Sequence, residues 1–301
     1  MTFAIDMHIH ADADSCACHG SAAHFRDAAF KYFGTKVKEE TIKETAAMYR
    51  SLNMMAVLLA VDSSSGLGTP PVTNDFVAKA MKDSPDVYIG FASVDPWAGK
   101  KAVDEVKRAV EELGLRGFKF HPATQAFYPN DKQFYPIYQA IARYGLPLLF
   151  HTGTTGIGAG LPGGGGIKLG GCRPIPYMDD VAADFPDTPM ILAHPSWPWQ
   201  DESLAMAVHK PNVYIDLSGW SPKYFSPTLI QYANSMIADK VLFGTDYPLI
   251  TPARWLSAFE KAPFKDEVRS RILFENANKL LGLKLTRTAQ VQPGSGRQDA
   301  P

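Results

Sequence analysis

The feature that most constrains the fold of this chain is a regular succession of short apolar segments. Eight of them, rich in β-branched and aromatic residues and bounded by polar or turn residues, occupy 3–10, 54–62, 87–96, 115–122, 147–154, 190–197, 213–220 and 241–248. Segments with helical periodicity lie between or after them, at 102–113, 134–144, 178–185, 204–209, 227–237, 253–260 and 266–281. Strands that alternate with helices pair in parallel through right-handed crossovers.

This alternation predicts an α/β fold, a (β/α)8 TIM barrel whose parallel sheet closes on itself, formed by a single domain over residues 1–285. A doubly wound open sheet has the same alternation and stays open as an alternative. Residues 11–50 are longer than a bare connection, and we expect them to form an insertion over the barrel mouth. The segment 286–301 has no apolar periodicity, and we expect a disordered tail there.

Charge and hydropathy argue against several classes of partner. The chain has 30 basic and 31 acidic side chains, which gives no basic field for nucleic acid or an anionic membrane. No stretch reaches 18 consecutive apolar residues, and the first residues lack the pattern of a signal peptide, so we expect a cytoplasmic protein. Cys16 and Cys18 are separated by one residue, a spacing that suits neither a disulfide nor a C-x₂-C zinc motif. We expect these two cysteines and Cys172 to be reduced thiols.

Histidines are concentrated where the predicted strands end. Five of the eight histidines lie at predicted strand C-termini, namely His8, His10, His121, His151 and His194. Because the C-terminal ends of barrel strands converge on one mouth, this pattern predicts a metal site there.

The spacing of these residues supports the grouping. His8 and His10 are separated by one residue on a strand, so both side chains project to the same side. His151 ends the fifth strand and Asp246 ends the eighth, which neighbours the first strand in a closed barrel. The fourth strand offers two inward candidates, Lys119 and His121, which are less certain ligands. A carbamylated Lys119 that bridges two metals is an alternative.

The segments that contain these residues are IDMHIH, GFKFHP, LLFHTG, ILAHPS and LFGTDYP. In this order they resemble the amidohydrolase superfamily, specifically the amidohydrolase-related branch that includes aminocarboxymuconate-semialdehyde decarboxylase, over roughly residues 3–283. The resemblance implies a (β/α)8 barrel with one divalent metal ion, commonly zinc, although manganese also suits such ligands. It places the metal ligands on His8, His10, His151 and Asp246, with His194 near the metal. A small-molecule substrate and a homodimer would be ordinary for this class.

One departure from that branch bears on the reaction. Its decarboxylases usually have Gly-Glu shortly after the strand 6 histidine, whereas Pro195 and Ser196 follow His194 here, and Glu202 is no obvious substitute. We therefore expect a metal-dependent hydrolase, in which a metal-activated water attacks a carbonyl centre and cleaves a C–O, C–N or C–C bond. Asp246 would transfer the proton and His194 would stabilise the oxyanion.

Two other functions remain open. The alternative reaction is non-oxidative decarboxylation of an aromatic or enol carboxylic acid, which would make the enzyme a carboxy-lyase. A barrel that retains only a structural zinc, with no catalytic activity, is the third interpretation.

Several residues after the strands are candidates for substrate binding. Arg173 could clamp a carboxylate, and Trp197, Trp220 and Tyr247 could line a pocket for an aromatic substrate. The glycine-rich segment 153–171 contains a G-x-G-x-x-G pattern, but no helix starts directly after it. We interpret it as a flexible lid rather than as a dinucleotide site.

Three aspartates at or within strands are predicted to be turn or capping residues, namely Asp62, Asp95 and Asp216.

Overall fold

Eight parallel strands form the centre of the molecule. The computed structural model describes residues 2–10, 23–34, 40–68 and 70–287. The strands are β1 (Ala4–His10), β2 (Met54–Leu59), β3 (Tyr88–Phe91), β4 (Phe118–Phe120), β5 (Leu148–His151), β6 (Met190–Ala193), β7 (Val213–Asp216) and β8 (Val241–Leu242). They form two ladders in sequence order, β1-β2-β3 and β4-β5-β6-β7-β8.

Short bridges join the two ladders at both seams. Between β3 and β4, Ala92 pairs in parallel with Phe118. On the other side, Ile9 pairs in parallel with Tyr247, and the backbone N–H of Asp246 donates to the carbonyl of His8 at 2.9 Å. These contacts join the two ladders into a ring of eight strands. The predicted TIM barrel is therefore confirmed, rather than the alternative of a doubly wound open sheet.

Helices follow the strands and cover the outside of the barrel. They are α1 (Ala23–Phe33), α2 (Ile42–Ser51), α3 (Ser64–Leu67), α4 (Asn74–Asp83), α5 (Lys100–Glu111), α6 (Tyr135–Ala142), α7 (Asp179–Asp184), α8 (Gln200–His209), α9 (Pro227–Ala233), α10 (Pro252–Lys261), α11 (Asp266–Ser270) and α12 (Asn276–Leu280). In α5, Ala102, Val106 and Ala109 recur at helical spacing and are buried, while the opposite face is charged. None of the described helices is long and apolar enough to cross a membrane.

The strands are apolar on both faces, as a covered parallel sheet requires. Leu149 and Ile191 belong to one buried cluster, and their neighbours along the strands, Leu148 and Leu192, belong to a larger one. In the parallel register, Lys119 of β4 pairs with Leu149 of β5. Because side chains alternate along a strand, these two project from the same face of the sheet.

All eight strands lie where they were predicted, but all except β1 end earlier. The predicted segments 190–197 and 241–248 contract to β6 and β8, and the backbone is left-handed at His194 (φ +75°) and at Asp246 (φ +62°). These two residues therefore stand in the first turns of loops rather than on strands. The predicted helix 266–281 is divided into α11 and α12 by a π-helical turn, Arg271–Glu275.

The insertion predicted over the mouth is described in part. Its helix α1 reaches the glycine-rich loop after β5, where Phe25 lies so close to Gly165 that a Cβ on that glycine would be 2.5 Å from the ring. Residues 11–22, with Cys16 and Cys18, and residues 35–39 lie outside the described part. Of the predicted tail, Arg287 forms a parallel bridge with Thr2, and 288–301 lie outside the described residues.

Candidate metal centre

The five histidines predicted to meet at the barrel mouth do meet there. His8 Nε2 and His10 Nε2 are 3.2 Å apart, and His194 Nε2 and His151 Nδ1 are 3.0 Å apart. The ring centroids of His8 and His194 are separated by 5.0 Å, and those of His121 and His151 by 3.9 Å. All are buried except His10, whose side chain is one-third exposed.

A buried carboxylate sets the orientation of His8. Its Nδ1 lies 2.7 Å from Asp216 Oδ2, and both side chains are fully buried. Because a carboxylate can only accept, His8 donates through Nδ1–H. Burial holds the pKa of His8 well below its usual range, so the ring is neutral and its Nε2 lone pair faces the centre. Histidines that bind metals are commonly held in this way.

Asp246 completes a group of three donors with His8 and His10. Its Oδ1 lies 3.5 Å from His8 Nε2 and 3.4 Å from His10 Nε2. Burial opposes ionisation of this carboxyl, but the hydrogen bond with His10 and the neighbouring imidazoles outweigh burial and hold its pKa well below its usual range. The group therefore offers an ionised carboxylate beside two imidazole nitrogens.

Two further ring nitrogens, His151 Nδ1 and His194 Nε2, lie next to each other without a proton between them. His194 Nδ1 donates to the carbonyl of Ser218 at 3.0 Å, and His151 Nε2 donates to the carbonyl of Thr154 at 3.1 Å. Burial lowers the pKa of both rings, which makes them neutral. The lone pairs of His151 Nδ1 and His194 Nε2 thus face each other at 3.0 Å, an arrangement that a cation would relieve.

These donors fit a divalent cation. With metal–nitrogen bonds of about 2.0–2.1 Å, neighbouring ligands of a tetrahedral ion are about 3.3 Å apart. The separations among His8, His10 and Asp246 are 3.2–3.5 Å. Imidazole and carboxylate ligands suit zinc and manganese alike, so the donor set points to a divalent metal without selecting one. The fourth predicted ligand, His151, faces His194 at the edge of this group.

A second cluster contains His121, His151 and Cys172, and its donor atoms lie within 4.8 Å of one another. The two imidazole rings are stacked with an angle of 8° between their planes. Parallel rings 3.9 Å apart cannot both direct an in-plane lone pair at one ion. The Cys172 thiol accepts the backbone N–H of Ala123, and burial raises its pKa to about 12. This cluster is a poorer metal site than the first one.

Lys119 lies between the two clusters, fully buried, with its Nζ 3.1 Å from His8 Nε2. Burial lowers the pKa of its ammonium group to about 8, although Asp246 and Asp216 oppose the shift. The lysine therefore points into the metal centre, as expected of an inward residue of β4.

The predicted substrate residues lie around the mouth rather than at the metal centre. Arg173 is exposed and forms an ion pair with Glu202, at 2.6 Å from its Nη2 to Oε1. Trp197 and Trp220 face each other across 6.1 Å in a groove of about 310 Å³. Tyr247 is buried, and its hydroxyl donates to Glu40.

The interpretation of Asp216 as a turn or capping residue was incomplete. Its Oδ1 does accept the N–H of Ser218, but its Oδ2 binds His8. The sequence signal was its position at the end of β7. This strand lies between β6 and β8, and its end was assigned no role in the centre. Asp62 and Asp95 are turn and capping residues, respectively, as predicted, since they accept the backbone N–H groups of Ser64 and Trp97.

Two further residues that shape the centre were missed. Ser218 Oγ lies 3.0 Å from both His8 Nδ1 and His194 Nδ1, so it links the two halves of the site. Asp6 is fully buried and accepts the N–H groups of His8 and Thr245, which ties β1 to the loop that carries Asp246. The hydroxyls of Tyr49 and Thr245 also donate to Asp6.

Comparison with known proteins agrees with this geometry. The sequence model of the amidohydrolase family matches residues 5–283. A gamma-resorcylate decarboxylase from a Polaromonas species is 25% identical over 273 residues, which cover 78% of this chain and 83% of that protein.

Solved structures show the same fold. An uncharacterised TIM-barrel protein from Bordetella bronchiseptica superposes with a TM-score of 0.77 at 25% identity, covering 93% of this chain and 98% of that one. A dihydroxybenzoic acid decarboxylase from a Polaromonas species, solved with manganese and the inhibitor 2-nitroresorcinol, gives a TM-score of 0.65 at 20% identity, covering 95% and 98%. The chain belongs to the amidohydrolase family, in its amidohydrolase-related branch, as its strand-end motifs indicated.

Proposed function

We propose that this protein is a metal-dependent, non-oxidative decarboxylase of an aromatic carboxylic acid. The observation that carries the proposal is the alignment of most of the chain with a gamma-resorcylate decarboxylase. That likeness outweighs our expectation of hydrolysis, which rested on the residues after His194. The donor set at the barrel mouth supports the same class of enzyme, because it fits a divalent ion.

We assign the metal to His8, His10, His151 and Asp246. The first two and Asp246 already lie at ligand–ligand separations, whereas His151 Nδ1 faces His194 Nε2 at 3.0 Å and would turn toward the ion. When bound, a divalent ion would orient the substrate carboxylate and an adjacent oxygen and would stabilise negative charge on them. His121 and Lys119 are not needed as ligands in this assignment.

Asp246 and His194 are the groups that we assign to the chemistry. Decarboxylation breaks the bond between the ring carbon and the carboxylate, CO₂ leaves, and a proton takes its place on the carbon. Asp246 is ionised in the free site, so it would first take a proton from a hydroxyl of the substrate and then pass it to the ring carbon. Its Oδ2, which lies beside Gly219, is the atom we assign to this transfer. The Nδ1 edge of His194 borders the same space. Because that nitrogen donates to Ser218, His194 would bind the substrate by accepting a hydrogen bond through Nε2.

The aromatic ring of the substrate would lie toward Trp197 and Trp220, which border the mouth beyond His194. Arg173 could bind a substrate carboxylate only by releasing Glu202, whose carboxylate now pairs with its guanidinium and accepts the N–H of Ile175. We therefore assign Arg173 a role in holding the loop, and substrate contact remains its alternative.

An isotope experiment tests the proposal. Metal-loaded protein is incubated in D₂O with 2,6-dihydroxybenzoate and a panel of other hydroxybenzoates, and CO₂ release and product mass are measured. We expect one CO₂ per product and one deuterium on the carbon that lost it, with no turnover by the Asp246→Asn variant. Recovery of every acid unchanged by protein with full metal occupancy would contradict decarboxylation of this class.

Hydrolysis is retained as a second candidate because of one observation. The loop after His194 carries Ser196, buried and hydrogen bonded to Thr152 and Ser203, where decarboxylases of this branch usually have a glutamate. Incorporation of ¹⁸O from labelled water into the product of an ester, amide or β-diketone substrate would favour hydrolysis.

A further inference from the structure

A cavity of about 530 Å³ lies outside the metal centre, between α9, α10 and the loop that follows β7. Its volume is in the range of small-molecule sites. Among the described residues that line it, none belongs to the metal centre. Its walls are the loop after β7, α9, and the length of α10 from Arg254 to Lys261.

Three cations line this cavity. Lys223 follows β7, and Arg254 and Lys261 lie seven residues apart on α10, which places them on one face of the helix about 10 Å apart along its axis. None of the described lining residues is acidic. In the part of the chain that the structure describes, none of these three side chains forms an ion pair with a carboxylate, and Lys223 lies over the ring of Tyr224.

The residues between the cations leave room for a ligand. Ser257 and Ala258 occupy the stripe of α10 between Arg254 and Lys261, and their short side chains open the groove. Phe225, which is buried, and Ile230 of α9 form an apolar wall opposite. The cavity thus combines an apolar surface with a positive rim.

We propose that this cavity binds a small organic anion, with an apolar body against Phe225 and Ile230 and a carboxylate or phosphate group held by Arg254 with Lys223 and Lys261. A guanidinium matches the two oxygens of either group in a bidentate pair. The occupant is not the substrate bound at the metal, because the cavity and the metal centre share none of the described residues.

The ligand contacts a loop that also serves the metal centre. Ser221 lines the cavity and stands three residues after Ser218, whose carbonyl accepts from His194 Nδ1. The cavity therefore borders the loop whose Ser218 carbonyl holds His194.

The test uses two probes on the metal-loaded protein, 4-iodobenzoate and 4-iodophenyl phosphate. Crystals soaked in each are examined for anomalous iodine density, and affinity is measured by calorimetry. The double variant Arg254→Gln/Lys261→Gln is compared with Lys101→Gln/Arg271→Gln, which removes the same charges from exposed positions outside the cavity. Thermal melting establishes that both variants are folded.

We expect iodine density in the cavity and an affinity about tenfold lower in the cavity variant, with no change in the control, since the variant loses two exposed ion pairs with the anion. Binding of one probe alone would identify the carboxylate or the phosphate as the recognised group. Iodine only at the metal centre, or equal iodine density in the cavity of the two variants, would overturn the proposal.

Discussion

The two histidine clusters at the barrel mouth contain similar residues and differ in how the rings are arranged. Around His8 and His10, nitrogen atoms point at one another and at an ionised Asp246 at 3.2–3.5 Å. Around His121 and His151 the rings are stacked in parallel at 3.9 Å, beside a thiol whose pKa is raised. Because His121 ends a strand and yet is not needed as a ligand, the comparison teaches that strand-end position alone does not make a histidine a ligand. Whether a histidine can bind the metal depends on the direction of its nitrogen lone pair, which is set by the hydrogen-bond partner of the other ring nitrogen.

The largest effect is expected from Asp246→Asn, which removes charge from the first cluster. We expect turnover to fall at least a hundredfold, because proton transfer by a positioned group contributes about 10²–10⁴-fold. Steady-state kinetics on the metal-loaded variant measures this. Asp239→Asn, at an exposed position, is the control, and equal losses in the two variants would contradict the assignment.

Asp216→Asn tests the partner that orients His8. Loss of the carboxylate weakens the preference for a proton on Nδ1, so we expect metal affinity to fall about 10–100-fold. Competition with a chelator measures the affinity. A folded variant that binds metal as well as the parent protein would show that Asp216 has no positioning role.

Gly219→Ala tests the space between His194 and Asp246. Gly219 has a φ of +73°, and a Cβ there would lie 2.6 Å from His194 Nδ1 and 3.3 Å from Asp246 Oδ2. We expect the free energy of unfolding to fall by about 1–3 kcal/mol, together with a loss of turnover. Denaturant titration and kinetics measure the two effects, and an unchanged kcat would mean that this space is not used.

Cys172→Ala should have the smallest effect on the metal centre. Removal of a buried thiol leaves a small cavity that costs about 1–2 kcal/mol of stability, while metal content measured by mass spectrometry should not change. A loss of bound metal in this variant would make the second cluster the metal site and reverse the comparison.

Much of this arrangement could be predicted from residue patterns. The eight strands, the closed barrel and the meeting of the five histidines followed from alternation and from strand-end positions. The strand ends could not be predicted, because His194 and Asp246 adopt left-handed backbone conformations that normally favour glycine. The role of Asp216 was missed for a similar reason: its contact with His8 joins residues 208 positions apart.

The preference for hydrolysis was the weakest inference. It rested on two residues after His194, whereas the likeness to decarboxylases extends over most of the chain. The cationic cavity beside α10 was also not foreseen, since Lys223, Arg254 and Lys261 meet only when the loop after β7 packs against that helix.

The most direct test of the account is the position of the metal. Crystals of manganese-loaded protein, measured on both sides of the manganese absorption edge, would show where the ion binds. We predict one anomalous peak among His8, His10 and Asp246, with His151 turned toward it. A peak between His121 and Cys172 instead, or no peak in protein that binds manganese in solution, would contradict the account.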